Sequence, residues 1–303
     1  MQSFFSHGKL LITGEYAVLD AALSLAVPTK LGQRMEVKPI ANTPGTLVWN
    51  AYNNEGVLWY SEHFKVVDNK VKPEFIDACN INPTTTDLTQ LLNQTIILEP
   101  SLLSEKSFEV NTFLEFPNNW GLGSSSTLIC NLAKWAQIDA FELSAASFGG
   151  SGYDVAVGML GGDILYRSPE MWEGYVFNPS FKDKLYFVHL NKKQNSRDGI
   201  KAYRSRPENK SLVYSISEIT EQLIQTPSLD EFARLLNQHE SLISSHLDIE
   251  PIKQQLFSDY PNTIKSLGAW GGDFVLACGD EKTPDYFKAK GYHTVLSFNE
   301  MVK

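Results

Sequence analysis

Pro117-Asn118-Asn119-Trp120-Gly121-Leu122-Gly123-Ser124-Ser125-Ser126-Thr127 leads directly into an apolar stretch whose spacing predicts a helix from Thr127 to Ala140. Two glycines let the backbone turn tightly and come close to a ligand. The N–H groups of a helix start have no partner within the helix and lie at the positive end of its dipole, so they suit phosphate oxygens. Three consecutive serines add hydroxyls for phosphate or a divalent cation. The spacing is not that of G-x-x-x-x-G-K-[ST], and no lysine follows. A Gly/Ser-rich turn closed by an N-capping serine would be written the same way, so by itself the stretch implies phosphate and nothing narrower.

Two further segments carry chemistry. His7-Gly8-Lys9-Leu10-Leu11-Ile12-Thr13-Gly14-Glu15-Tyr16 sets a lysine before a short apolar run and a Gly-Glu pair after it. Gly149-Gly150-Ser151-Gly152-Tyr153-Asp154 places one carboxylate where a glycine turn becomes an apolar run. The ordinary alternatives are a surface lysine, a first-turn acid and an N-capping aspartate. From Lys182 to Lys210 nine bases face three acids, although the whole chain has 26 Lys plus Arg against 35 acids and a formal charge of −9. Such a segment reads either as a solvated loop or as a basic wall for an anionic small molecule.

Around these segments the pattern mixes strands and helices. Leu47-Val48-Trp49 and Val57-Leu58-Trp59-Tyr60, joined by Asn53-Asn54-Glu55-Gly56, predict a hairpin. Helices are expected at 87–98, 212–225, 229–245 and near Ile252, and strands at 108–116, 185–190 and 274–277. Without strict βαβ alternation this is an α+β, two-layer architecture. A length of 303 residues fits about two domains, divided here as 1–172 and 173–303.

Composition excludes several classes. A 43% hydrophobic chain is not disordered, and no run of 18 apolar residues suggests a membrane span. Its start lacks a basic n-region and a long h-region, so no signal peptide is expected. Cys79, Cys130 and Cys278 form no C-x-x-C pair, and the latter two sit among apolar neighbours, as buried thiols in a reducing cytoplasm would. Acidity argues against a nucleic-acid partner. His239 and His246, seven apart, lack a third ligand at metal spacing and read as ordinary helix histidines.

Together with Leu267-Gly268-Ala269-Trp270-Gly271-Gly272-Asp273-Phe274, these segments resemble the GHMP small-molecule kinases, in the branch of mevalonate and phosphomevalonate kinases. Four motifs occur in family order over most of the chain, and 117–125 fits P-x-x-x-G-L-G-S-S completely. The resemblance implies a mixed-sheet N-terminal domain, a ferredoxin-like C-terminal domain and ATP in the cleft between them. It implies that Pro117, Gly121, Leu122, Gly123, Ser124, Ser125 and Ser126 hold the nucleotide, that Glu15 and Ser125 hold Mg²⁺, and that Asp154 is the catalytic base. Lys9 would lie beside the γ-phosphate and acceptor hydroxyl, with Ser196, Arg197, Gly271 and Gly272 also meeting the substrate. The implied partner is an anionic small molecule, mevalonate before phosphomevalonate, with neither nucleic acid nor membrane, and a homodimer is left open. Diphosphomevalonate decarboxylase and a non-catalytic ligand sensor are the rival readings. His7, Ser126 and Trp270 depart from the family's usual proline, alanine and glycine, and Trp270 is expected to narrow the substrate pocket.

Overall fold

The computed structural model describes residues 1–41, 44–74, 82–104, 106–194 and 196–303, the side chain of Ser196 excepted. Its strands are β1 (Gln2–Leu11), β2 (Ser24–Pro39), β3 (Thr46–Tyr52), β4 (Leu58–Val67), β5 (Lys70–Pro73), β6 (Phe108–Leu114), β7 (Ile164–Ser168), β8 (Met171–Gly174), β9 (Leu185–His189), β10 (Ile264–Ser266), β11 (Phe274–Cys278) and β12 (Val295–Ser297). The helices are α1 (Pro83–Leu98), α2 (Ser124–Ala136), α3 (Ala140–Ser147), α4 (Tyr153–Leu160), α5 (Ser196–Arg204), α6 (Lys210–Leu223), α7 (Leu229–Leu247), α8 (Ile252–Leu256), α9 (Thr283–Ala289) and α10 (Phe298–Met301).

These elements form two compact units, each assembled from separated stretches: Met1–Gly8, Leu31–Asn118 and Gly123–Met159 in the first, Lys9–Lys30, Asn119–Leu122 and Leu160–Lys303 in the second. The boundary expected at 172/173 falls inside the second unit. In the first unit the strands run β5-β4-β3-β6-β2, with β3 and β4 the expected antiparallel hairpin and β3 parallel to β6. Alternate residues of β6 are buried (Phe108, Val110, Thr112, Leu114), as a sheet with one face on a core requires. That core joins Trp49, Phe64 and Val110 to Leu88, Leu91 and Leu92 of α1 and to Ile129, Leu132 and Trp135 of α2. The single helix expected over 127–140 is two. Gln137 turns left-handed (φ +57°), and Asp139 then caps α3 through the N–H groups of Phe141 and Glu142.

Within the second unit, residues 24–26 of β2 pair with β7, which pairs with β8. A four-stranded sheet follows in the order β10-β11-β9-β12, every neighbour antiparallel. Chain order β9-helices-β10-β11-α9-β12 with that spatial order is the ferredoxin-like arrangement. The architecture is thus mixed α and β, with a large mixed sheet and a separate small antiparallel one. Among the described residues no helix is long and apolar enough to cross a membrane. Cys130 and Cys278 are buried free thiols, and burial pushes each up to about 12; Cys79 lies outside the described residues.

Candidate active site

In the first unit Gly123 (φ +88°) stands at the N-cap of α2, and no side chain closes that end of the helix. Its first turn carries no acid, so the dipole end stays positive. Ser125 is exposed and Ser124 half-buried. Ser126 differs: it is buried, and its hydroxyl donates to the Gly123 carbonyl at 2.9 Å, so its backbone N–H rather than its hydroxyl belongs to the helix entrance. Pro117 is half-buried ahead of the turn. Asp154 lies in the first turn of α4, after Gly149, Gly150 and Gly152, which all take positive φ. Half-buried, it accepts the N–H of Val155 at 3.0 Å, so it is a first-turn acid rather than an N-cap.

In the second unit Lys9 reaches the glycine stretch twice. Its N–H donates to the Leu122 carbonyl at 3.0 Å and its ammonium to the Gly121 carbonyl at 3.1 Å. His189 contacts the Asn119 carbonyl at 3.0 Å, and Trp120 meets Phe274 edge to face at 5.3 Å between centroids. Gly271 takes φ +94°. Gly272 is bare for a reason internal to the chain: a Cβ there would stand 2.8 Å from the Gln194 Cβ and 2.9 Å from the Lys192 carbonyl. Arg197 is exposed on α5. Ser196 begins that helix, and Asn195 lies outside the described residues. Farther along the basic run, Arg204 pairs with Asp20 and Arg206 donates to the Leu247 carbonyl at 2.8 Å, so these two bases are engaged by the fold.

Glu15 does not fit the metal-ligand expectation. Its side chain has no exposure, and Lys265, equally buried, donates to Oε1 at 2.5 Å. Burial raises the Glu15 carboxyl and Lys265 pulls it back down. His239 lies 3.3 Å from Oε2, but its Nε2 accepts the Gly14 N–H at 2.9 Å. The ring proton therefore sits on Nδ1. Burial, then Lys265, hold the imidazole well below its usual range, so it is neutral and makes no ion pair. Glu15 Oε2 and His239 Nδ1 are left without hydrogen-bond partners. Glu240 completes the group. It accepts the Ser266 hydroxyl at 2.7 Å and the Ser266 N–H at 3.2 Å, and burial pushes its carboxyl up to about 7. A divalent cation competing for Glu15 would have to displace an ammonium inside the protein, whereas Ser125 presents an accessible hydroxyl. Among the described residues no group of three His, Cys, Asp or Glu side chains is placed to hold a metal, although a cation carried by nucleotide phosphates needs fewer protein ligands.

Lys265, His239 and Glu240 were not singled out from the sequence as a group, yet each left a trace. Lys265 is a charge in the short apolar strand before a glycine turn, and His239 shares a helical stripe with Leu235, Leu236 and Ile243. Trp270 does not project as an obstacle into an open space. Its ring is buried with Tyr16, Tyr203, Leu212, Ile216, Ile243 and Leu247, and its backbone N–H, not the indole one, donates to the Tyr16 hydroxyl at 3.2 Å.

The fold is that of the GHMP small-molecule kinases. The mevalonate kinase of Methanococcus jannaschii matches with a TM-score of 0.71 at 15% identity, over 97% of this chain and 96% of its own. The Streptococcus pneumoniae phosphomevalonate kinase bound to phosphomevalonate and AMPPNP matches at 0.68 and 17%, over 96% of both chains. Lactococcus lactis galactokinase complexed with galactose matches at 0.63 and 14%, over 95% of this chain and 88% of its own. No protein-family model matches the sequence, and no curated protein does.

Proposed function

We propose that this chain is an ATP-dependent phosphotransferase that transfers the γ-phosphoryl group to a hydroxyl or phosphate of a small anionic acceptor, mevalonate first and phosphomevalonate second. The observation that carries the reading is the double attachment of Lys9 to the Gly121–Leu122 carbonyls, which ties a cationic side chain to a glycine turn 112 residues away in sequence. A phosphate cradle that must also neutralise developing charge needs that combination. A kinase-like fold over nearly the whole chain supports it.

In this reading the first-turn N–H groups of α2 grip phosphate oxygens, and Lys9 neutralises charge at the γ-phosphate. Asp154 takes the acceptor proton. Ser125 is the chain's own ligand for Mg²⁺, which when bound shields the phosphates; Glu15 is not one. Gly271-Gly272-Asp273 is phosphomevalonate kinase wording and keeps that acceptor as the second reading. The test is acceptor-dependent ADP release from purified protein with mevalonate, phosphomevalonate, homoserine and galactose. Turnover with either isoprenoid acid is expected in the cytoplasm-like conditions of neutral pH and magnesium. Release of CO₂ from diphosphomevalonate would install the decarboxylase instead, and nucleotide binding without turnover of any acceptor would install the sensor.

A further inference from the structure

Asp273 lies against the glycine turn in the second unit, and nothing above gives it a role. It takes a left-handed φ of +55°, held by its N–H on the Lys192 carbonyl at 2.7 Å and its carbonyl on the Leu190 N–H at 2.8 Å. Oδ1 accepts the Gln194 N–H at 3.1 Å. The carboxylate faces Gly121 so closely that a Cβ there would stand 2.3 Å from Cγ and Oδ2 and 2.7 Å from Oδ1. Gly121 is therefore glycine twice over, through its φ of +66° and through the group resting on it. The carbonyl of the same Gly121 accepts the Lys9 ammonium. Lys9 from β1, His189 from β9 and Lys193 from the segment after it act on the carboxylate through space. Burial raises this carboxyl, and the Gln194 N–H, Lys9, His189 and Lys193 draw it back.

We propose that Asp273 is a positioning residue whose carboxylate seats on Gly121 and orients the Lys9 ammonium, so that lysine and glycine turn are held as one piece. A neutral residue of the same shape would keep the Gln194 hydrogen bond but lose the negative charge that shares Gly121 with the Lys9 ammonium. A glycine would lose both and free the space above Gly121.

The inference rests on the kinase reading for its purpose, and the experiments separate the two. Calorimetry with a non-hydrolysable ATP analogue, on the intact chain and on Lys9→Met, tests the kinase reading alone: absence of binding by the intact chain would remove that purpose. The positioning itself is read without nucleotide. Competitive acylation of amines from pH 7 to 11, followed by peptide mass spectrometry, gives the midpoint of Lys9. Asp273→Asn is expected to lower it by at least about half a pH unit, because a facing negative charge is lost; an unmoved midpoint overturns the proposal. Thermal melting gives the second readout. Gly121→Ala is expected to lower the melting temperature, and Asp273→Gly added to it is expected to recover part of the loss. Losses that simply add would show that the carboxylate does not rest on Gly121 and would overturn the proposal equally.

Discussion

Replacing Lys265 with methionine tests the assignment of Glu15 most directly. Among the described residues, the variant removes the only cation bonded to a carboxylate that has no exposure and whose second oxygen already lacks a hydrogen-bond partner. Breaking a buried pair from one side costs about 3–5 kcal/mol, since the remaining charge is neither solvated nor neutralised. Against a total stability of about 5–15 kcal/mol that is a large fraction. With a urea slope of about 3 kcal/mol/M, the unfolding midpoint should fall by about 1–1.7 M at pH 8. The deficit should shrink toward pH 5, because the folded variant can then protonate Glu15 and shed the buried charge. Glu15→Leu combined with Lys265→Met should regain most of the loss, since no charge is left unpaired. Circular dichroism through urea titrations at the two pH values, with and without magnesium, measures all of this. A Lys265→Met midpoint equal to that of the parent, or one restored by magnesium, would refute the reasoning and return Glu15 to the metal.

Three other outcomes are expected. The Glu240 carboxyl lies near 7 in the folded chain against an ordinary 4.5, so the folded state binds more protons than the unfolded one between those values and stability falls as pH rises through that window. The fall amounts to about 3 kcal/mol, and Glu240→Gln, which can still accept from Ser266, should flatten it in urea titrations run from pH 4.5 to 7.5. Trp270→Ala should destabilise the chain by about 3–5 kcal/mol through cavity formation; Trp270→Phe, which also removes an unpartnered buried N–H, should cost under about 1.5 kcal/mol. If Trp270→Ala instead melts like the parent and only changes acceptor preference, the ring is pocket lining. Asp154→Asn should lower turnover by about 10²–10⁴ in a coupled ADP-release assay while leaving the melting temperature within a few degrees, and a smaller loss would remove it as the base.

Local readings succeeded wherever a few consecutive residues hold the information. The hairpin of β3 and β4, the α6 and α7 helices and the buried strand β11 follow from periodicity and turn residues that lie side by side in the chain. Asn82, Asp139, Asn209 and Ser228 each cap the helix that follows, and with Asn82 as its cap α1 begins at Pro83 rather than at the expected 87. The interleaving of the two units was not legible, because a division at 172/173 takes each unit as one continuous stretch and the chain's return to each unit leaves no local signal. Nor was the second role of the glycines: Gly272 is bare because residues 192–194 pass over it, and Gly121 because Asp273 does.

By itself the sequence determined a mixed α and β chain with a glycine-serine turn opening a helix, a lysine before an apolar strand and an aspartate after a glycine turn. Only the tertiary structure decided what each charged group faces. The family resemblance makes Glu15 a metal ligand, but Lys265 arrives 250 residues later and bonds its carboxylate; the residues alone leave Lys9 open between a surface cation and the γ-phosphate neighbour that the resemblance implies, and in the fold its ammonium and N–H go to the Gly121 and Leu122 carbonyls. The physical reason is that a carboxylate or ammonium has no fixed role of its own. Its protonation, its partner and its access to a ligand are set by burial and by whichever groups long-range folding brings within about 3 Å.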